Sequence, residues 1–219
     1  LKPSTSFTRF NVPVVYSIRN KRATRLKLMV ASSNHASYSI EKESRNIKFA
    51  VGYIYYGWIK KLMPGLNAAF VDIGSEKEAF LHYLDLGSQF SSFNTFVQSA
   101  IAEPNKAPQL SKFKLLPINK QGSIAETLTV GQHIIFQVSK EPISTKGPRL
   151  TTELTFTGRF MVLIPFSNKV SISQKIKSTQ EKMRLRQLIE SIRPKNFGVI
   201  VRTSAEDKRV AELNNEMNT

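Results

Sequence analysis

The chain has 219 residues, 41% of them hydrophobic, which is enough to bury the core of one large or two small domains. Thirty-two Lys and Arg against 16 Asp and Glu leave a net charge of +16 and a pI of 10.1, so an anionic partner is expected: nucleic acid first, an acidic membrane surface second. The absence of cysteine excludes disulfides, thiolate metal sites and cysteine nucleophiles, and no run of about 18 apolar residues offers a spanning helix.

Residues 1–40 carry Lys2, Arg9, Arg19, Lys21, Arg22, Arg25 and Lys27 and no acid at all. Three readings fit this segment: an organelle transit peptide, sequence upstream of a true start at Met29, or a disordered basic arm that strengthens binding to phosphates. The first residue is Leu1 and the last residues, VAELNNEMNT, read as a helix in progress, so both ends look cut.

From about Phe49 the pattern becomes globular. Apolar and polar residues alternate from Tyr53 to Leu62, a turn follows at Pro64 and Gly65, and Ala68–Ile73 is a buried run. Gly74–Lys77 makes a second turn before Ala79, Phe80 and Leu81. Three short strands with aromatics emerging on one face suit a five-stranded OB barrel, whose exposed sheet stacks single-stranded bases. Tyr53, Tyr55, Tyr56 and Trp58 crowd the first strand, and alternation predicts about half of them exposed.

Residues 87–129 interrupt the barrel as an insertion. Phe90, Phe93, Phe96 and Val97 have helical spacing, and a partly mobile loop rich in Pro, Lys and Asn follows. Strands return at His133–Val138 and Arg149–Thr155. Beyond them the order is strand, helix, strand, helix: Arg159–Ile164; Ser178–Ile192 with a stripe of Met183, Leu185, Leu188, Ile189 and Ile192, stopped by Pro194; Phe197–Val201; and Ala205 onward. The domains read as a leader over 1–40, a barrel over 41–155 and a small α+β region over 156–219.

Five ordered blocks carry a resemblance: NAAFVDIG at 67–74, EAFLHYLDLG at 78–87, KEPISTKGPRLT at 140–151, KVSISQKIKS at 169–178 and RPKNFGVIVRT at 193–203. Together they resemble the ribonuclease E/G family over about residues 41–217, most nearly its members in Bacteroidetes-type bacteria. The resemblance implies an S1-type OB-fold RNA-binding domain, then a sensor region for the RNA 5′ end. It further implies a bacterial, cytoplasmic endoribonuclease that processes ribosomal RNA, degrades messenger RNA and cuts single-stranded sites. The family's magnesium-holding carboxylates and assembly regions lie outside the matched blocks, so this piece alone is expected to lack a complete active site, and oligomerisation is expected only of the full-length enzyme. Three positions depart from the pattern: Trp58 stands where the family usually has Lys or Arg, Tyr53 where it has Asn or Asp, and Asp207 where it has Gly. A stand-alone S1-type RNA-binding or ribosome-associated protein without nuclease activity is the alternative reading.

The residues alone leave Phe70 and Phe80 open to core packing or to base stacking; the resemblance implies RNA stacking for both. It also implies RNA contacts for Lys140 and Lys146, whose ammonium groups suit phosphate oxygens. Gly158, Val162, Arg202 and Thr203 match the family's 5′-monophosphate pocket, where a guanidinium fork and a hydroxyl would meet the phosphate. The plain alternative for Arg202 is a surface pair with Glu206. His35, His82 and His133 show no metal-ligand spacing, and Asp72, Asp85 and Asp207 stand isolated in sequence, so neither catalytic nor metal-binding residues are assigned.

Overall fold

The structure, a computed structural model, describes residues 49–102 and 108–218 together with the backbones of three strands: β1 (Val15–Arg19), β2 (Arg22–Leu26) and β3 (Ile40–Lys42). Met29, His35, the rest of the basic leader and loop residues 103–107 lie outside the described residues. Two compact units divide the chain, one from Pro13–Gln109 and Phe113–Leu154, the other from Thr155–Thr219 with Leu110–Lys112.

Five strands close a barrel in the first unit: β4 (Ile54–Met63), β5 (Ala68–Asp72), β6 (Ala79–His82), β7 (His133–Lys140) and β8 (Arg149–Thr151). They run in the order β4-β5-β6-β8-β7, with β7 pairing back onto β4. Neighbours are antiparallel except β6 and β8, which meet in parallel. This is OB connectivity, and closure leaves the barrel no free edge.

Alternation along each strand decides what fills it. Tyr55, Ile59, Ala69, Val71, Leu81, Ile134, Phe136, Val138 and Leu150 have almost no exposed surface, whereas their strand neighbours Trp58, Phe70 and Phe80 keep part of theirs. Strand β4 serves two partners. Its first half pairs with β7, its second half with β5, and Trp58 at the changeover faces both His133 and Asp72. A bulge between Ile59 and Lys61 bends the strand at that point. Before the bulge, Gly57 admits no side chain, because a Cβ there would collide with the Asp72 carbonyl.

Strand β1 lies parallel to the start of β4, and β2 and β3 continue the sheet antiparallel. No strand was expected in residues 1–40, whose basic, acid-free composition shows no sustained period of two.

The insertion between β6 and β7 contains the expected helix, α1 (Phe90–Ala102), with Phe90, Phe93 and Val97 buried. Phe96 meets Phe113 edge-on at 5.6 Å. A short α2 (Ile124–Thr127) begins at a Ser123 cap. Asn67, left-handed at the β4–β5 turn, accepts the Ile124 N–H at 2.7 Å and donates to the Gly122 carbonyl at 3.1 Å. The Tyr83 hydroxyl donates to the Asn119 carbonyl at 2.5 Å. Residues 116–127, expected in part as loose loop, are thereby tied to the barrel.

The second unit holds a sheet of β9 (Phe156–Thr157), β10 (Met161–Pro165), β11 (Val170–Ile172) and β12 (Phe197–Val201) in the order β11-β12-β10-β9. Strands β11 and β12 are parallel, joined through α3 (Thr179–Ile192), which the Ser178 hydroxyl caps by accepting the Glu181 N–H. Leu185, Leu188 and Ile189 are buried, but Met183, expected on the same stripe, is 59% exposed. A turn after α3, Pro194–Phe197, holds Asn196, whose side chain donates to the Leu110 carbonyl at 2.8 Å. Helix α4 (Val210–Met217) closes the unit with Leu213, Glu216 and Met217 buried.

Candidate nucleic-acid interface

On the barrel's outer face Phe70 of β5 pairs in register with Phe80 of β6, their rings 6.1 Å apart and edge-to-face at 69°. Their flanking residues Ala69, Val71, Ala79 and Leu81 are fully buried, while both Phe rings remain partly exposed. Both rings lie on the side of their strands opposite the barrel interior, which their neighbours fill. Period two turns them outward because their neighbours occupy the inside. Lys61, exposed, pairs with Phe70 from the β4 side.

Lys140 and Lys146 are both exposed. Lys140 ends β7 opposite Arg149, and Lys146 closes a tight turn by exchanging both backbone hydrogen bonds with Ile143, at 3.1 and 2.9 Å. That turn is docked on the β5–β6 connection. Lys77 donates to the Ser144 carbonyl, Gly147 lies so close to the Glu78 carbonyl that no Cβ fits, and the Phe80 N–H donates to the Pro148 carbonyl at 2.8 Å. The Lys146 turn is thus fastened to the strand that carries Phe80. Beneath it Arg149 grips Asp85 with two bonds, Nε to Oδ2 at 2.8 Å and Nη2 to Oδ1 at 3.1 Å. Asp85, isolated in sequence, serves there as a structural partner.

In the second unit the residues after β12 fold back over the loop before β10. The Arg202 N–H donates to the Phe160 carbonyl at 2.8 Å, and its Nη1 donates to the Gly158 carbonyl at 2.7 Å. Among the described residues Arg202 makes no ion pair with Glu206; the Gly158 carbonyl holds its guanidinium while most of the side chain stays exposed. Thr203 follows, exposed, at the start of a single helical turn (Thr203–Ala205), and the Ser204 hydroxyl donates to the Arg159 carbonyl at 2.5 Å. Val162 pairs with Thr157 and Ile200 on the sheet face opposite buried Met161 and Leu163. The fold joins Gly158 directly to Arg202, keeps Thr203 next to it, and presents Val162 on the outward side of β10.

Two carboxylates brace this loop system, and neither was singled out from the sequence. Glu216 of α4, 1% exposed, accepts the N–H groups of Phe160 at 2.9 and 3.1 Å and of Met161 at 3.2 Å. Its one sequence signal is a carboxylate three residues after Leu213, on the helix's buried stripe. Glu181 of α3 takes a two-pronged bond from Arg184, at 2.7 and 2.6 Å, and the Asp207 N–H at 3.1 Å. The Arg184 bonds hold the Glu181 carboxyl below the ordinary carboxylate range against the opposing effect of burial, with the Asp207 amide adding to the shift. Arg184 also donates to the Lys208 carbonyl at 3.2 Å. Asp207 has a left-handed backbone, φ 58°, which accounts for Gly as the usual residue of the resembling family at this position.

Among the three histidines, His82 accepts the Leu84 N–H at Nδ1 and caps a helical turn, and His133 lies exposed on β7. No group of three or more His, Asp or Glu gathers among the described residues, and no described helix is long and apolar enough to cross a membrane.

A closed five-stranded barrel, in one chain with an α+β unit, defines an OB-fold protein. The family model for the Ribonuclease E/G family matches residues 155–219. Ribonuclease G of Haemophilus influenzae is 37% identical over 174 residues, 80% of this chain and 31% of that protein. Ribonuclease E of Nostoc sp. is 38% identical over 159 residues, 72% of this chain and 19% of that protein, and ribonuclease G of Escherichia coli is 36% identical over 174 residues. The chain belongs to the ribonuclease E/G family. It spans 31–32% of the length of these ribonuclease G relatives and 19% of the ribonuclease E relative.

Proposed function

We propose that the barrel binds single-stranded RNA and that the loop around Arg202 reads the RNA 5′-monophosphate, within a ribonuclease E/G-type endoribonuclease of the bacterial cytoplasm that serves rRNA processing and mRNA decay. The observation that carries the RNA reading is the outward Phe70–Phe80 pair beside exposed Lys61. An aromatic face stacks any base, and a net charge of +16 attracts the backbone. Lys146, on a turn fastened to the strand of Phe80, and Lys140, at the end of β7, add exposed ammonium groups that suit phosphate oxygens.

For 5′-end sensing, the support is the Arg202 guanidinium, whose Nη1 is held by the Gly158 carbonyl while its exposed edge remains available for an anion. Thr203 adds a hydroxyl donor, Val162 an apolar wall, and Gly158 a backbone surface without a side chain. The described residues do not gather ligands for the magnesium expected of the full-length enzyme, and no step is assigned to that metal in this part of the protein.

Fluorescence anisotropy with a short single-stranded RNA tests both parts. The 5′-monophosphate form binds more tightly than the 5′-hydroxyl form, and Arg202→Ala removes the difference. Equal binding of the two forms by the unaltered chain overturns the sensor reading, and no binding of either overturns the RNA reading.

A further inference from the structure

The first barrel strand carries three aromatics that the Phe70–Phe80 pair does not use. Tyr55 belongs to the core, fully buried and tilted against Phe49 at 5.2 Å. Tyr56 and Trp58 are different: both are partly exposed and both converge on His133 of β7. The Tyr56 and His133 rings lie 5.6 Å apart with their planes at 32°, and those of Trp58 and His133 lie 5.9 Å apart at 41°. Trp58 and His133 are directly opposed in the β4–β7 pair.

On its other side Trp58 is opposed by Asp72 of β5, two residues from Phe70 on the same outward face. Trp58 and Phe70 therefore lie on the same face of adjacent strands, on either side of the β4 bulge. The aromatic surface runs across four strands, from His133 on β7 through Tyr56 and Trp58 on β4 and Phe70 on β5 to Phe80 on β6. These rings keep part of their surface exposed while Tyr55, Ile59, Val71 and Leu81 fill the inside.

We propose that Trp58, flanked by Tyr56 and His133, is a second base-stacking site for single-stranded RNA, continuous with the Phe70–Phe80 pair. The proposal rests on the RNA reading above and adds residues to it. Local charge indicates which part of the nucleotide is held. Asp72, with its carboxylate accepting the Gly74 N–H at 2.8 Å, faces Trp58 and repels phosphate, so the ring face meets the uncharged base. Lys61, exposed opposite Phe70, offers the phosphate a cation beside the row.

Trp58 is the chain's single tryptophan, so its fluorescence reports on this site alone. The full chain is titrated with a single-stranded oligoadenylate and with an abasic ribose-phosphate oligomer of equal charge, followed by both Trp emission and anisotropy of a labelled RNA. Saturable quenching by the oligoadenylate but not by the abasic oligomer is expected. Trp58→Leu weakens RNA binding by roughly 5- to 100-fold, Trp58→Tyr restores most of it, and neither changes the salt dependence, because no phosphate contact is removed. RNA binding by anisotropy with unquenched Trp58 and unaltered affinity in Trp58→Leu overturns this site while leaving the Phe70–Phe80 reading intact. No RNA binding by the unaltered chain overturns both. Circular dichroism of each variant separates loss of stacking from loss of fold, and Trp58→Tyr keeps the test valid if Trp58→Leu unfolds.

Discussion

Arg202 and Glu216 hold Phe160 from its two backbone sides. The Arg202 N–H donates to the Phe160 carbonyl at 2.8 Å, while the Glu216 carboxylate accepts the Phe160 N–H at 2.9 Å. One peptide segment therefore connects a buried carboxylate on α4 to an exposed guanidinium after β12. The geometry of the candidate phosphate site depends on a residue that does not touch it.

Replacing Glu216 breaks that connection. Glu216→Ala leaves the Phe160 and Met161 N–H groups buried without an acceptor, a loss of about 2–3 kcal/mol. Urea unfolding is expected to show a lower midpoint with an unchanged slope, and the preference for 5′-monophosphate RNA is expected to fall with it.

Arg202→Lys separates charge from geometry. A lysine ammonium retains the positive charge but cannot donate to the Gly158 carbonyl and present a planar fork to phosphate at once. Binding of 5′-hydroxyl RNA stays nearly unchanged, and discrimination in favour of the monophosphate drops at least several-fold in a paired anisotropy titration.

Phe70→Ala and Phe80→Ala each weaken RNA binding by about 1–3 kcal/mol, the worth of one base on an aromatic face. Both side chains are partly exposed, so melting temperatures move little. The double variant loses less than the sum, because the rings touch edge-to-face at 6.1 Å and remove part of the same surface.

Glu181 makes stability depend on pH on the acid side. Its folded carboxyl titrates below the unfolded value because Arg184 donates to the charged form. The stabilisation is complete above the unfolded value of about 4.3 and is lost as pH falls through the lower folded value. Urea midpoints measured from pH 6 to pH 3 should decline less steeply in Glu181→Gln than in the unaltered chain.

Asp207 tests the left-handed backbone at φ 58°. Asp207→Ala costs about 1 kcal/mol because alanine pays the left-handed penalty without a polar side chain to relieve it, and Asp207→Gly stays within about 0.5 kcal/mol. Thermal unfolding of the two variants side by side measures the difference.

The barrel was legible because its signals are local. A period of two from Tyr53 to Leu62, the Pro64–Gly65 turn and the run Ala68–Ile73 mark strands whatever lies around them. Helices α1 and α3 were legible for the same reason, by apolar spacing and, for α3, the stop at Pro194. Met183 escaped its stripe because α3 buries only the arc defined by Leu185, Leu188 and Ile189.

Sequence by itself determined the net charge, the absence of thiol chemistry, the strands β4 to β7, the helices α1 and α3 and, through its ordered blocks, the family, but not β1 to β3, β9, β11 or α2. Tertiary structure alone decided that Phe70 and Phe80 face outward, that Trp58 meets His133, that Arg202 bonds the Gly158 carbonyl and not Glu206, and that Glu216 is buried. The physical reason is sequence distance. Side-chain period and caps act over a few residues, whereas Trp58 and His133 lie 75 residues apart and Gly158 and Arg202 lie 44 apart, so only strand pairing and barrel closure bring their partners together.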